Sequence, residues 1–383
     1  MKRLVFAAMY TAALAASAAS PKYVFLFIGD GMSVPQRMTA EEFSRKSGGG
    51  SLAMNAMPFS AMTRTCSATS LVTDSAAAAT ATACGVKTYN SAIGVDAEKK
   101  PVESCAEAAK RAGRKVGVIT TTTITHATPA GFYAHRANRS DTYGIALDLA
   151  DSGFDFFAGG GLAVRTASST NHAQFAKCGN ARDYIRSKGY DIVDSKERFL
   201  ALKPGDGKVL AMFSDRHLAY AIDADGSQPT LAQIVSKAVE MLDGEDGFFI
   251  MAEGGCIDWA GHANDAATNL RDLLAMDDAV KVARRFLAAV VDRRAVLYEL
   301  GGNAAPVIQV LRVTEEYAVD HKYRVFCLAD LQGLTLFVAP VSLALFADFA
   351  SCDLNYYREH EKISNGDHAA EDAKKPHSDA YLL

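Results

Sequence analysis

At 383 residues the chain can bury one large core or two modest ones, and 49% apolar with 22% charged residues is the balance of an ordinary globular protein. The formal net charge of -4 excludes bulk electrostatic attraction as a reason to expect nucleic acid as a specific partner. Any bound anion must be held by local devices such as metals, helix N-termini or single arginines.

Residues 1–20 read as an export signal peptide. Lys2 and Arg3 supply the positive start, Leu4 to Ala16 an uncharged apolar run, and Ala16-Ser17-Ala18 the small residues for cleavage near Ala18 to Ser20. The run is shorter than the about 20 apolar residues that span a bilayer, so no membrane span is expected after its removal. The mature protein is expected in the periplasm or outside the cell. The seven cysteines lack C-x-x-C spacing, which argues against zinc ribbons and redox motifs, and an odd count leaves at least one thiol unpaired within the chain.

From Lys22 to Ile28 a β-branched and aromatic run predicts a buried strand, which delivers Asp30 through Gly29-Asp30-Gly31-Met32. Ser47-Gly48-Gly49-Gly50-Ser51 reads as a flexible loop tip. Ser70 to Thr82 is alanine-rich without Gly or Pro and predicts a helix opened by Thr73-Asp74-Ser75. Val102 to Ala112 predicts an amphipathic helix closed by Gly113, and Lys115 to Thr120 a strand that runs into a polar stretch rich in Thr and His. Phe154 to Ala158 and Val209 to Phe213 predict short strands, the first ending in Gly159-Gly160-Gly161. Leu231 to Leu242 predicts a helix, Gly247 to Ala252 a strand ending in Glu253-Gly254-Gly255, and Asp258 to Ala289 a mostly helical stretch. Leu334 to Phe346 is apolar, but Pro340 interrupts it and it is too short to cross a membrane. This alternation predicts an α/β fold with a largely parallel central sheet flanked by helices on both faces. Ligands gather at the carboxyl ends of such strands, where Asp30 and Glu253 both fall.

Taken alone, Asp74-Ser75 is an ordinary N-cap pair. Its chemical reading places Ser75 where helix N–H groups favour a phosphate oxyanion. A serine hydroxyl needs a base or a metal for activation, and no histidine is adjacent in sequence, which points to a metal. Asp258-x-x-x-His262 puts a carboxylate and an imidazole one helical turn apart, so both can face one ion. Glu253 brings a further oxygen ligand to that neighbourhood. Thr128, before Pro129, could cap a helix with Pro at its first position, and Arg139 by itself reads as a surface cation.

Together these segments resemble the alkaline phosphatase family. The runs FIGDGM, LVTDSAAAATATACGVKTYN, THATPAGFYAHRANRSDTYG, DFFAGGG and GFFIMAEGGCIDWAGHANDAA follow one another in the family's order, from about Lys22 to Val282. The resemblance implies hydrolysis of small phosphate monoesters through a phosphoserine intermediate, with two zinc ions and one magnesium as cofactors. It implies that Ser75 is the nucleophile and that Arg139 grips the nonbridging phosphate oxygens. Asp30 corresponds to the carboxylate shared between the magnesium and the second zinc, and Thr128 and Glu253 to the other magnesium ligands. Asp258 and His262 correspond to ligands of the first zinc, and Ser75 to a ligand of the second. His126 stands where family members carry Asp or His near the magnesium, and Trp259 follows the zinc-ligating Asp as in many bacterial members. A homodimer is implied only by the resemblance.

After Val282 the pattern changes. The family continues into a strand ending in Asp-His-Glu-Thr-Gly-Gly, whose Asp and His complete the second zinc site, while a later histidine completes the first. Here Arg284, Arg285, Arg293 and Arg294 occupy a segment without that motif. Of the two Asp-His pairs, Asp320-His321 and Asp367-His368, the first follows a short apolar run and is the better stand-in for the second zinc site. His360, His368 or His377 could supply the missing third ligand, although surface polar residues are the plainer reading of all of them. Residues 21–320 are accordingly expected to form the catalytic domain and 321–383 a divergent C-terminal segment. Two alternatives follow: a catalytically impaired relative that binds phosphate or metal without turnover, and a phosphodiesterase of the same superfamily. A sulfatase is disfavoured, because Ala76-Ala77-Ala78 follows Ser75 in place of C/S-x-P-x-R.

Overall fold

The computed structural model describes residues 21–63, 65–164, 173–290, 295–301 and 307–313. The export segment, the 334–346 run, Asp320, His321, His360, His368 and His377 lie outside them. Strand β1, Tyr23–Gly29, is buried at every position. Its alternate side chains enter different cores. Tyr23, Phe25 and Phe27 pack with Phe248 and Ile250 beneath the helices Leu231–Leu242 and Ala266–Ala289. Val24, Leu26 and Ile28 pack with Val116 and Val118 beneath the helices Ser75–Cys84, Cys105–Arg111 and Thr142–Ser152. A strand covered on both faces has no polar side, which is why it reads as a continuous apolar run. Each wholly buried phenylalanine of this kind contributes about 1.5–3 kcal/mol relative to exposure.

The remaining strands are β2 (Phe59–Met62), β3 (Lys115–Thr120), β4 (Phe156–Gly159), β5 (Tyr190–Val193), β6 (Lys208–Met212), β7 (Phe248–Glu253), β8 (Ala295–Gly301) and β9 (Val307–Val313). They form one sheet in the order β2-β9-β8-β1-β7-β3-β4-β6-β5. Neighbours from β8 through to β5 are parallel, whereas β9 runs antiparallel to both β8 and β2. The fold is thus α/β with a mostly parallel sheet and an antiparallel edge. Register positions the chemistry: Ile28 of β1 pairs with Glu253 of β7, and Glu253 pairs with Thr120 of β3. The carboxyl ends of three adjacent strands therefore finish level.

Several elements differ from the sequence expectation. The helix expected over 70–82 begins only at Ser75 and continues to Cys84, because Asp74 adopts extended backbone and its side chain accepts from Ala77 N. Left-handed Gly85 (φ 70°) ends it. The stretch 258–289 is two helices, Cys256–His262 and Ala266–Ala289, separated at left-handed Asn264 (φ 55°) and re-started by Asp265, which accepts from Thr268 N. Thr128 is not a cap: His126 holds the N-cap position of the short helix Ala127–Ala130, and Thr128 lies inside it. The strands expected at 154–158 and 209–213 shift to Phe156–Gly159 and Lys208–Met212. Among the described residues Cys66, Cys84, Cys105, Cys178 and Cys256 are free thiols, and no helix is long and apolar enough to cross a membrane.

Candidate active site

The site forms where β1, β7 and β3 end. Asp30 leaves β1 buried, and Ser75 Oγ donates to its Oδ2 at 2.9 Å. Ser75 is the first residue of its helix, so its hydroxyl lies beside backbone N–H groups without intrahelical acceptors. That helix comes close to the Ala127–Ala130 segment because Gly131 has no side chain: a Cβ there would lie 2.9 Å from Ala79 Cβ. Packing of small residues thus brings the start of one helix to the Thr- and His-bearing turn of the other.

Glu253, at the end of β7, is fully buried. Its Oε2 accepts from Thr120 Oγ1 across the β3–β7 pair, and Thr128 also hydrogen-bonds to the carboxylate. Its Oε1 is enclosed and has no hydrogen-bond partner. Burial, followed by the charge of Asp30, pushes the Glu253 carboxyl up to about 8. Asp30 is raised to about 6 by burial and then by the charge of Asp258, with the Ser75 hydrogen bond acting in the opposite direction. Two carboxyls crowded into a low-dielectric space hold their protons more tightly than exposed ones do.

His126 completes the cluster. One ligand atom from each of Asp30, His126 and Glu253 can be chosen so that all lie within 4.8 Å of one another. Burial and then the Arg139 charge depress the His126 ring to about 3, so the ring is neutral and carries a lone pair. Its Nδ1, like Glu253 Oε1, is enclosed with no hydrogen-bond partner, while Nε2 stands 3.1 Å from Arg139 Nη2. A buried carboxylate oxygen and an enclosed ring nitrogen, both without partners, are costly to leave unmatched, and two buried carboxyls beside a neutral imidazole make a donor set that fits a divalent ion.

Arg139 borders the cluster. Its Nη1 donates to Asp74 Oδ2 at 3.2 Å, and Asp74 Oδ1 accepts from Ala77 N at 2.9 Å. One aspartate therefore caps the Ser75 helix and holds the guanidinium. Asp258 lies one step further out, its carboxyl raised chiefly by burial. Gly31 permits this approach: at φ +66° it occupies left-handed backbone, and a Cβ would lie 2.7 Å from both Asp258 Cα and Oδ1. His262 Nε2 stands 3.4 Å from Asp258 Oδ2, with the imidazole 80% exposed. Trp259 presents its ring edge-to-face to His126 and to His217, at centroid distances of 5.7 and 4.9 Å.

Asp30, Ser75, Thr128, Arg139, Glu253, Asp258 and His126 are therefore brought to one region, with His262 at its outer margin. The hold of Asp74 on Arg139 and the bond from Thr120 to Glu253 do not stand out from the sequence. Asp74 has the composition of any N-cap, and Thr120 is one of several threonines after a strand. The only sequence signal for Thr120 is its place at a strand end beside the polar run.

The alkaline phosphatase family model matches residues 21–297. The chain is 34% identical to an alkaline phosphatase of Schizosaccharomyces pombe over 70% of this chain and 53% of the relative. It is also 34% identical to alkaline phosphatase 4 of Bacillus subtilis, over 64% of this chain and 55% of the relative. The chain thus spans about half the length of these curated relatives. The solved alkaline phosphatase of the Antarctic bacterium TAB5 superposes with a TM-score of 0.66 at 28% identity, covering 76% of this chain and 91% of that one. A mutant of that protein has Mg bound in its M3 site; it matches at 26% identity and a TM-score of 0.68, over 82% of this chain and 96% of the mutant. With the matched region containing the whole cluster around Asp30, Ser75 and Glu253, the chain belongs to the alkaline phosphatase family.

Proposed function

We propose that this chain hydrolyses phosphate monoesters through a phosphoserine at Ser75. One observation carries the reading: the Ser75 hydroxyl donates to Asp30, a carboxylate that also belongs to the cation-accepting trio with His126 and Glu253. The proton that must leave Ser75 Oγ on attack already points at a carboxylate with raised proton affinity. Ser75 Oγ then forms a bond to phosphorus as the ester oxygen leaves, and water later cleaves the phosphoserine to regenerate the hydroxyl. Charge on the equatorial oxygens meets the N–H groups at the start of the Ser75 helix and the Arg139 guanidinium, which Asp74 holds in place.

In the same reading Asp30, Thr128 and Glu253, with His126 beside them, would hold magnesium. Asp30 and Ser75 would contribute to the second zinc, and Asp258 and His262 to the first. When bound, such ions lower the pKa of a coordinated hydroxyl and stabilise the departing oxygen. The Mg reported in the Antarctic enzyme's mutant supports a magnesium site in this fold. Export to the periplasm or beyond, with residues 21–320 as the catalytic domain, belongs to the same proposal.

A second reading, binding without turnover, is favoured by the outer margin of the site. His262 is 80% exposed and pairs only loosely with Asp258, and β8, the parallel neighbour of β1, contains no Asp-His pair. One experiment separates the two. The protein loaded with zinc and magnesium should release p-nitrophenol from p-nitrophenyl phosphate much faster than from bis-p-nitrophenyl phosphate, and Ser75→Ala should abolish it. No turnover at full zinc occupancy supports binding alone, whereas a preference for the diester supports a phosphodiesterase.

A further inference from the structure

We propose that His135 is a doubly hydrogen-bonded imidazolium that clamps the 91–94 loop and thereby positions Arg139. The assignment rests on the phosphate role proposed above for Arg139. His135 Nδ1 lies 2.7 Å from Gly94 O, and Nε2 lies 2.9 Å from Glu107 Oε1. Both partners are acceptors only, so both ring nitrogens must carry hydrogen to satisfy them, and an imidazole with hydrogen on both nitrogens is a cation. No neutral tautomer can make the two bonds together.

The clamp reaches Arg139 along a short path. Ile93 and Arg136 exchange both backbone hydrogen bonds at 2.8 Å, and Arg139 N donates to Ser91 O at 2.8 Å. Ser91 N in turn donates to Asp74 Oδ2, the oxygen that accepts from Arg139 Nη1. The approach of the two segments depends on Gly94, which sits at φ +56° and whose absent Cβ would lie 2.1 Å from Ala134 O. Glu107 is itself fixed, since its Oε2 accepts from Ser104 N in a capping box that starts the Cys105–Arg111 helix.

The charges around the ring favour the cation. Glu107 faces it from the Cys105–Arg111 helix, and Asp148 from the Thr142–Ser152 helix accepts from His135 N at 3.0 Å. The neighbouring Arg136 is engaged by Asp148 and by Asp141. The 91–94 loop contributes the Gly94 carbonyl. Burial opposes the charged ring, but the hydrogen bond and charge of Glu107 outweigh it, so His135 is raised from its ordinary value. The clamp is therefore complete below the ordinary histidine range and is lost as pH rises through the higher folded-state value.

The test uses NMR and amide exchange on the full chain, with no turnover measurement. In parent protein both ring nitrogens of His135 should show imidazolium shifts that persist to a midpoint above the ordinary histidine value. The intrinsic-rate-corrected protection of the Arg139 and Ile93 amides should then fall about tenfold as pH passes the His135 midpoint, the effect of losing one charge-assisted bond. Glu107→Gln keeps the capping geometry without the charge, so the midpoint and the fall in protection should both move to lower pH. His135→Gln can bridge only one of the two acceptors and should show the low protection at every pH. A His135 midpoint at or below the ordinary histidine value, or protection of Arg139 that ignores the His135 midpoint, overturns the proposal. A chain that hydrolyses nothing leaves the clamp standing, and failure of the clamp leaves the phosphatase reading to its own test.

Discussion

Replacing Glu253 by glutamine tests the cation space directly, because glutamine keeps the shape and the Thr120 hydrogen bond but removes the buried charge. In the metal-free protein the Glu253 carboxyl is raised from 4.5 to about 8, so within that window the folded state holds a proton that the unfolded chain has released. Stability must then fall as pH rises through the window, by up to ~5 kcal/mol at 1.36 kcal/mol for each pH unit. Glu253→Gln lacks this fall, so in chelator at pH 8 it should be more stable than the parent, with a melting temperature higher by roughly 5–10 °C. Adding zinc or magnesium should reverse the order. An ion at about one hundred times its Kd stabilises the parent by about 2.7 kcal/mol and a variant lacking the ligand by far less. Calorimetry of both proteins from pH 5.5 to 8.5, with chelator and with each metal, measures the difference. A parent-minus-variant stability that does not change with pH in chelator, or equal stabilisation of both proteins by metal, would refute the reasoning.

Other consequences follow from named contacts. Arg139→Ala should raise KM for p-nitrophenyl phosphate about tenfold or more, and Arg139→Lys should not rescue it, since a point charge cannot replace a guanidinium that donates to Asp74 and, in the proposed role, would donate to phosphate as well. Gly31→Ala forces a Cβ to within 2.7 Å of the Asp258 backbone at a left-handed position, so urea unfolding should show a loss of about 1–3 kcal/mol and metal affinity should weaken with it. Phe27→Ala empties a wholly buried site in the core beneath the Ala266–Ala289 helix and should cost about 3–5 kcal/mol by the same assay.

What the sequence discloses here is mostly local. The Tyr23–Gly29 strand is legible because it is apolar throughout, and the Leu231–Leu242 helix because Thr230 and Gln233 form a capping box before an amphipathic run. Asp30 and Glu253 are legible as carboxylates at strand ends. Their meeting is not, since it depends on β1, β7 and β3 being neighbours in the sheet, and the Thr120–Glu253 hydrogen bond joins residues 133 apart. The Val34–Lys46 helix has a weak pattern because it buries Arg37, Ala40 and Ser44 rather than an apolar stripe. Asp74 illustrates the same limit at the site. Its capping of Ala77 is a local property, while its hold on Arg139 belongs to a loop 65 residues away. The four-residue β5 and the antiparallel edge carry too little periodicity to announce themselves.

The attacking role of Ser75 is tested most directly by acid quench and peptide mapping. Protein loaded with zinc and magnesium, mixed with p-nitrophenyl phosphate and quenched during turnover, should carry a phosphoryl group on the peptide containing Ser75, and the Ser75→Ala protein should carry none. Sustained turnover by the Ser75→Ala protein, or a phosphoryl group trapped on a different side chain, would contradict the account.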